Sequence, residues 1–205
     1  PFLFNFIIKI YFQAFGYDFQ ISRYLPALFS SLSIISVSLI NREISNDKSY
    51  IFSSILITIN VYLISYAQEL RLYSTLFLFV SITIYFYFKF ENQKKLIFFY
   101  FYNIFLLLTC LIHPFGLIIY FALIISELKF FQKNDKSNFK KIAAYLFLSL
   151  IILIYYFLQL NKSYLTPIWI ETIDIKFFTN LFFSNFFGSR IMGLIYLVAF
   201  LILIL

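Results

Sequence analysis

The chain has 205 residues, of which 62% are hydrophobic, 24% aromatic and only 12% charged, with a formal net charge of +7. A mean hydropathy of +0.90, carried by apolar runs long enough to cross roughly 30 Å of hydrocarbon, excludes a soluble globular domain, and the lack of short polar–apolar alternation excludes a membrane β-barrel. The single cysteine, Cys110, excludes an internal disulfide, and the sixteen Lys and Arg residues gather in particular loops, a pattern of membrane orientation rather than of a nucleic-acid surface.

Backbone polar groups inside lipid must be satisfied within their own segment, so the spans are helices. The expected fold is all-α: a polytopic integral membrane bundle forming one transmembrane domain over 1–205. It begins with an outer interfacial segment, 1–23. Six spans follow within 24–160, at about 24–41, 50–66, 72–90, 96–112, 114–130 and 142–160. An outer loop, 161–189, precedes the start of a seventh span at 190–205. The chain opens on Pro1 rather than Met and stops within the run "FLILIL", which reads as a fragment cut at both ends.

The first segment, "PFLFNFIIKIYFQAFG", sets Asn5, Lys9 and Gln13 four residues apart. That spacing draws a polar stripe along an otherwise apolar helix, suited to the membrane interface or to packing on the bundle. Gly16 is its expected C-terminal stop.

Between the spans, basic residues divide unequally. Arg42, Lys48, Lys89, Lys94, Lys95, Lys129, Lys133, Lys136, Lys140 and Lys141 fall in one set of alternate loops, and Arg23, Arg71, Lys162, Lys176 and Arg190 in the other. The richer set is cytoplasmic by the positive-inside rule. The turns "AQELR" and "HPFG" then lie together on the outer face. Span interiors carry hydroxyls and amides such as Asn60 and Asn103 but no charged group or histidine, unlike most ion-coupled transporters.

The turn "SYAQELRLYSTLF" places Gln68, Glu69, Arg71 and Tyr73 between two apolar runs. If it is helical, Gln68 and Arg71 share a face, as do Glu69 and Tyr73, while Glu69 and Arg71 point apart. One reading is a short loop whose charges snorkel to water. The other is a phosphate site, with arginine as a planar donor fork and tyrosine hydroxyls beside it. Both stand on the residues alone. In "LIHPFGLII", Pro114 favours an extended residue before it and breaks the helix, and Gly116 permits the reversal. His113, the only histidine, would either hydrogen-bond a substrate or cap a helix end, and a lone histidine is a poor metal site. In the loop "NKSYLTPIWIETIDIKFFTNLFFSNFFGSR", Tyr164 and Trp169 suit the interface and residues 174–187 suit a helix lying on it.

The ordered set of these stretches resembles the GT-C-type membrane glycosyltransferases that take sugars from polyprenyl phosphates. These include the dolichyl-phosphate-mannose protein mannosyltransferases (glycosyltransferase family 39) and the bacterial lipid A aminoarabinose transferase. "PFLFNFIIKIYFQAFG" is similar to the family's Pro-led segment after the first outer loop. "SRYLPALFSSLSIISVSLINREI" is similar to its R-x-x-[SP]-A-L span. "YAQELRLY" is similar to its Y-[AS]-Q-E-x-R-x-Y turn at Tyr66, Gln68, Glu69, Arg71 and Tyr73. "HPFG", "PIWI" and "FFGS" follow in the expected order.

The resemblance implies inverting transfer of a sugar from a polyprenyl-phosphate donor to a glycan, lipid or protein acceptor. The reaction would occur on the periplasmic or extracellular face of a bacterial cell membrane, as in modification of lipopolysaccharide or other envelope glycans or in protein glycosylation. Arg71 would stabilise the leaving phosphate, Gln68, Glu69 and Tyr73 would hold the turn or the donor, and His113 would line the cavity. An aspartate acting as base would come from an acidic pair preceding Pro1, and Asp18, Glu171 and Asp174 do not match that motif. No cofactor or metal site is expected from these residues, although a divalent cation is left open. A transporter or flippase of a lipid-linked substrate is the alternative.

Overall fold

The computed structural model describes residues 2–45, 49–128 and 136–160, together with 191, 193–195, 197 and 198. The secondary structure of these residues is helical. In chain order the helices are α1 (Phe2–Phe15), α2 (Phe19–Ile44), α3 (Ser49–Thr58), α4 (Val61–Ala67), α5 (Leu72–Gln93), α6 (Leu96–Ile112), α7 (Gly116–Leu128) and α8 (Lys136–Leu160).

The amphipathic reading of the first segment holds. Asn5, Lys9 and Gln13 are exposed, Phe4 is buried, and α1 packs against α6. Gly16 ends the helix at φ +86°, a conformation that suits a residue without Cβ, and its N–H reaches the Phe12 carbonyl at 2.9 Å. The chain re-enters a helix sooner than expected, so that Phe19–Arg23 belong to α2 and not to the interfacial segment. Asp18 is the reason: its carboxylate accepts the Phe19 N–H at 2.6 Å, making it an N-cap.

α5 lies at the centre, packed on α2 and α6. Small hydroxylated residues are buried on both helices of the α2–α5 pair, Ser33 and Ser36 on α2 and Ser74 and Ser81 on α5. Without a hydrophobic drive between helices in lipid, such residues let backbones approach closely. The contact with α6 is aromatic. Phe86 stacks on Phe98, Phe101 and Phe105 at 6.3, 5.1 and 5.7 Å, and Tyr87, Phe90, Phe99 and Tyr102 are buried beside it. Tyr155 and Tyr156 of α8 donate to the carbonyls of Leu111 (3.2 Å) and Cys110 (2.7 Å), fixing α8 to the end of α6. Large apolar side chains such as Phe52, Ile104, Phe147 and Leu153 remain exposed, a surface made for lipid rather than water.

Among the described residues two helices, α2 and α5, are long and apolar enough to cross a membrane alone. The expected span at 50–66 is two helices, α3 and α4, bent by 60° and able to count as a third. Asn60 breaks it. Its side-chain oxygen accepts the Leu63 N–H at 3.1 Å, offering the backbone a cap in place of continued helix. The expected spans over 96–112, 114–130 and 142–160 correspond to α6, α7 and α8, apolar helices whose described parts are shorter. The span expected at 190–205 falls mostly outside the described residues, and the loop 161–189 with its proposed helix at 174–187 falls wholly outside them.

The C-terminal ends of α2 and α5 are tied where Asn92 donates to the Glu43 carbonyl (2.8 Å) and carboxylate (3.2 Å). Arg42, Lys89, Lys94 and Lys95 therefore occupy one end of the bundle. Arg23 and Arg71, at the starts of the same two helices, occupy the other.

Candidate functional site at the α4–α5 turn

The turn from α4 to α5 is not helical. Gln68 ends α4, with its N–H on the Ser65 carbonyl at 3.2 Å, and the Arg71 N–H bonds back to the Glu69 carbonyl at 2.7 Å. A bond over two residues folds the chain tightly, and Arg71 then enters α5 with extended backbone, φ −120° and ψ 161°. This corrects the expected side-chain geometry. Glu69 and Arg71 do not point apart: Arg71 Nε meets Glu69 Oε2 at 2.8 Å. A helix would have separated residues two apart, whereas this bend brings them together. The Arg71 side chain remains 63% exposed and that of Glu69 48%, so the pair contributes little to stability. It does hold one edge of the guanidinium and leaves the remaining donors facing outward.

Tyrosines join this turn to the next. The rings of Tyr62 and Tyr66 lie 4.4 Å apart and those of Tyr66 and Tyr73 4.6 Å, both edge-on. Tyr73 lies 6.3 Å from the His113 imidazole, which in turn lies 4.5 Å from Phe115. The α4–α5 and α6–α7 turns therefore meet through Tyr73 and His113. Gln68, at the end of α4, is exposed. Tyr62 extends the aromatic row but was not among the candidate residues, although its spacing of four residues from Tyr66 is the helical repeat that could have signalled it.

His113 has extended backbone, φ −154° and ψ 146°, as its position before Pro114 requires. Its Nδ1 accepts the Phe115 N–H at 3.1 Å, which puts the proton of the neutral ring on Nε2. The Gly116 N–H closes the turn on the His113 carbonyl at 2.9 Å. Gly116 has no positive φ, and close approach is what requires glycine there: a Cβ would sit 2.6 Å from the Thr109 carbonyl oxygen and 2.8 Å from Cys110 Cα. α7 thus begins directly against the backbone of α6.

Burial lowers the His113 pKa below the usual histidine value, and protonation would also remove the Nδ1 lone pair that holds the Phe115 N–H. A histidine depressed in the folded state contributes stability that is complete above its unfolded pKa of about 6.5 and is lost as pH falls through the lower folded value. Thermal unfolding should therefore come at lower temperature as pH falls below about 6.5. His113→Gln should remove that part of the pH dependence, and an unchanged slope would contradict the assignment.

Behind the turn, the hydroxyls of Ser74 and Thr75 are buried with no protein partner. A cavity of about 190 Å³ lies beside α4, lined in part by Ser30, Ser31, Thr58, Leu63 and Ala67. Among the described residues no group of three or more His, Cys, Asp or Glu side chains converges, so no residue here is assigned to a divalent ion.

An all-helical bundle with a lipid-suited surface, with an exposed guanidinium and a half-buried imidazole and tyrosines collected at one end, is an integral membrane protein. Residues 1–159 match the family model of the dolichyl-phosphate-mannose-protein mannosyltransferases. The chain belongs to that family, one of membrane glycosyltransferases. No curated protein and no solved structure matches it.

Proposed function

We propose that the protein transfers a sugar from a polyprenyl-phosphate donor to a lipid, glycan or protein acceptor, with inversion, on the non-cytoplasmic side of a cell membrane. The observation that carries this reading is the exposed Arg71 guanidinium, held on one edge by Glu69 and open on the other, in a turn that Tyr73 links to His113. When the anomeric bond breaks, charge builds on the departing lipid phosphate, and a fixed guanidinium beside it stabilises that charge more than it stabilises the bound donor. Tyr73 and the Nε2–H of His113 are suited to donating to the donor's phosphate or sugar. Gln68 lies at the rim of the same turn.

Glu69 is assigned to holding Arg71 and not to taking the acceptor proton. That base is expected from an acidic pair ahead of the Pro-led segment, as the resemblance implies. The loop bias of lysine and arginine supports placing Arg71 outside the cell, within a domain of seven spans. The α3–α4 break is a feature that a transporter or flippase would use, but the group at its bend is the amide of Asn60, a helix cap, and no charge lies there.

The test supplies the full-length protein in lipid with a polyprenyl-phosphate sugar. Release of free polyprenyl phosphate in step with glycosylated acceptor is the expected result. Movement of intact donor across the bilayer without its cleavage would overturn the reading in favour of a flippase.

A further inference from the structure

The opposite end of α5 carries a lysine in an unusual setting. Lys89 is half-buried rather than extended into water. Its ammonium donates to the Tyr85 hydroxyl and lies 4.9 Å from the Tyr85 ring centre and 5.0 Å from that of Phe98. The nearby carboxylates are engaged elsewhere, Glu91 by Lys94 at 2.8 Å and Glu43 by Asn92 at 3.2 Å. Among the described residues, no acid comes within ion-pair distance of Lys89. Ring faces and one hydroxyl hold the cation in place but do not neutralise it.

The surroundings indicate what would. Lys95 stands exposed at the start of α6, in the turn that follows α5. The flank of α6 next to Phe98 exposes Ile97 and Phe101, so an apolar surface runs directly from the charged spot along the bundle. An uncompensated ammonium at the membrane boundary, with an apolar strip leading from it into the hydrocarbon, complements a ligand having a phosphate at one end and acyl chains at the other.

We propose that Lys89, with Tyr85, Phe98 and Lys95, binds the headgroup of an anionic phospholipid in the leaflet at the lysine-rich end of the bundle. The acyl chains would lie along α6. The site lies at the far end of α5 from Arg71, and it rests on the membrane reading alone, independent of sugar transfer.

The experiment uses the whole protein in detergent micelles, offered phosphatidylglycerol and phosphatidylcholine of matched chains, with bound lipid read by native mass spectrometry. The wild type is expected to retain phosphatidylglycerol in preference. Lys89→Gln should weaken that retention about fivefold, the effect of one basic side chain at a charged membrane surface, and Lys89→Arg should keep most of it. Lys9→Gln, on α1, should change nothing. Equal retention of the two lipids by the wild type, or undiminished phosphatidylglycerol in a folded Lys89→Gln, would overturn the proposal. Should Lys89→Gln fail to fold, Lys95→Gln decides on an exposed side chain: a partial loss supports the site and wild-type retention overturns it. Inorganic phosphate that displaces the lipid completely at low concentration would also overturn it, because the apolar strip would then contribute nothing.

Discussion

Arg71→Ala is expected to lower sugar transfer by about 10²–10³-fold, the usual cost of removing one donor aimed at developing charge, while leaving the fold intact. The two halves of this expectation have separate origins. Arg71 is mostly exposed, and its ion pair with Glu69 is open to solvent, so losing it should cost well under about 1 kcal/mol of stability. The proposed catalytic contribution would come instead from the edge of the guanidinium that Glu69 does not hold. Arg71→Lys should restore only part of the rate, because an ammonium keeps the charge but not the planar fork. Glu69→Gln should fall between wild type and alanine, since the guanidinium would remain but its orientation would be less fixed. Turnover of a polyprenyl-phosphate sugar, measured beside thermal unfolding, checks all three. An Arg71→Ala enzyme with full turnover would remove this residue from the site.

The second large effect is expected at a residue with no chemistry of its own. A glycine within a helical segment usually gains stability when replaced by alanine, by up to about 1 kcal/mol. Gly116→Ala is expected to do the opposite and cost about 1–3 kcal/mol, the range for forcing extra atoms into a packed interior. The new Cβ would press on the backbone of α6 at Thr109 and Cys110, and backbone cannot turn aside as a flexible side chain can. To relieve the contact, α7 must move away from α6. The turn that holds His113 against Tyr73 would move with it, so transfer should fall together with the melting temperature. The sign of the stability change decides the matter: a Gly116→Ala protein as stable as the wild type, or more so, would show that the close approach does not occur.

Much of this fold can be read from the amino-acid order. Apolar runs located α5, α6 and α7 to within a few residues, and the apolar part of α8, which starts six residues earlier at Lys136, because in lipid hydrophobicity and helix formation impose the same requirement. The four-residue spacing of Asn5, Lys9 and Gln13 marked the exposed stripe of α1, and Gly16 marked its end. The α4–α5 and α6–α7 turns were recognisable from their residue types, since Pro114 forces an extended histidine and a charged cluster between greasy runs is unusual. The family follows from the same stretches, through the ordered resemblance.

Other features were beyond the sequence because they depend on how segments meet. Asp18 reads in the sequence only as an acid outside the expected spans, and the entry of the chain into α2 makes it a cap. Asn60 reads as one amide within a span, yet its side chain competes successfully for the Leu63 N–H and divides that span in two.

Composition, hydropathy period and motif order determined by themselves that this is a helical membrane protein with its polar chemistry at the helix ends, because those properties follow from each segment's local transfer from water to lipid. Tertiary structure alone decided that Glu69 grips Arg71, that Tyr73 meets His113, that Gly116 is needed for closeness rather than for a turn, and that Lys89 has no acidic partner among the described residues. Each of these is a distance between groups set by packing and by non-helical backbone, which no local periodicity encodes.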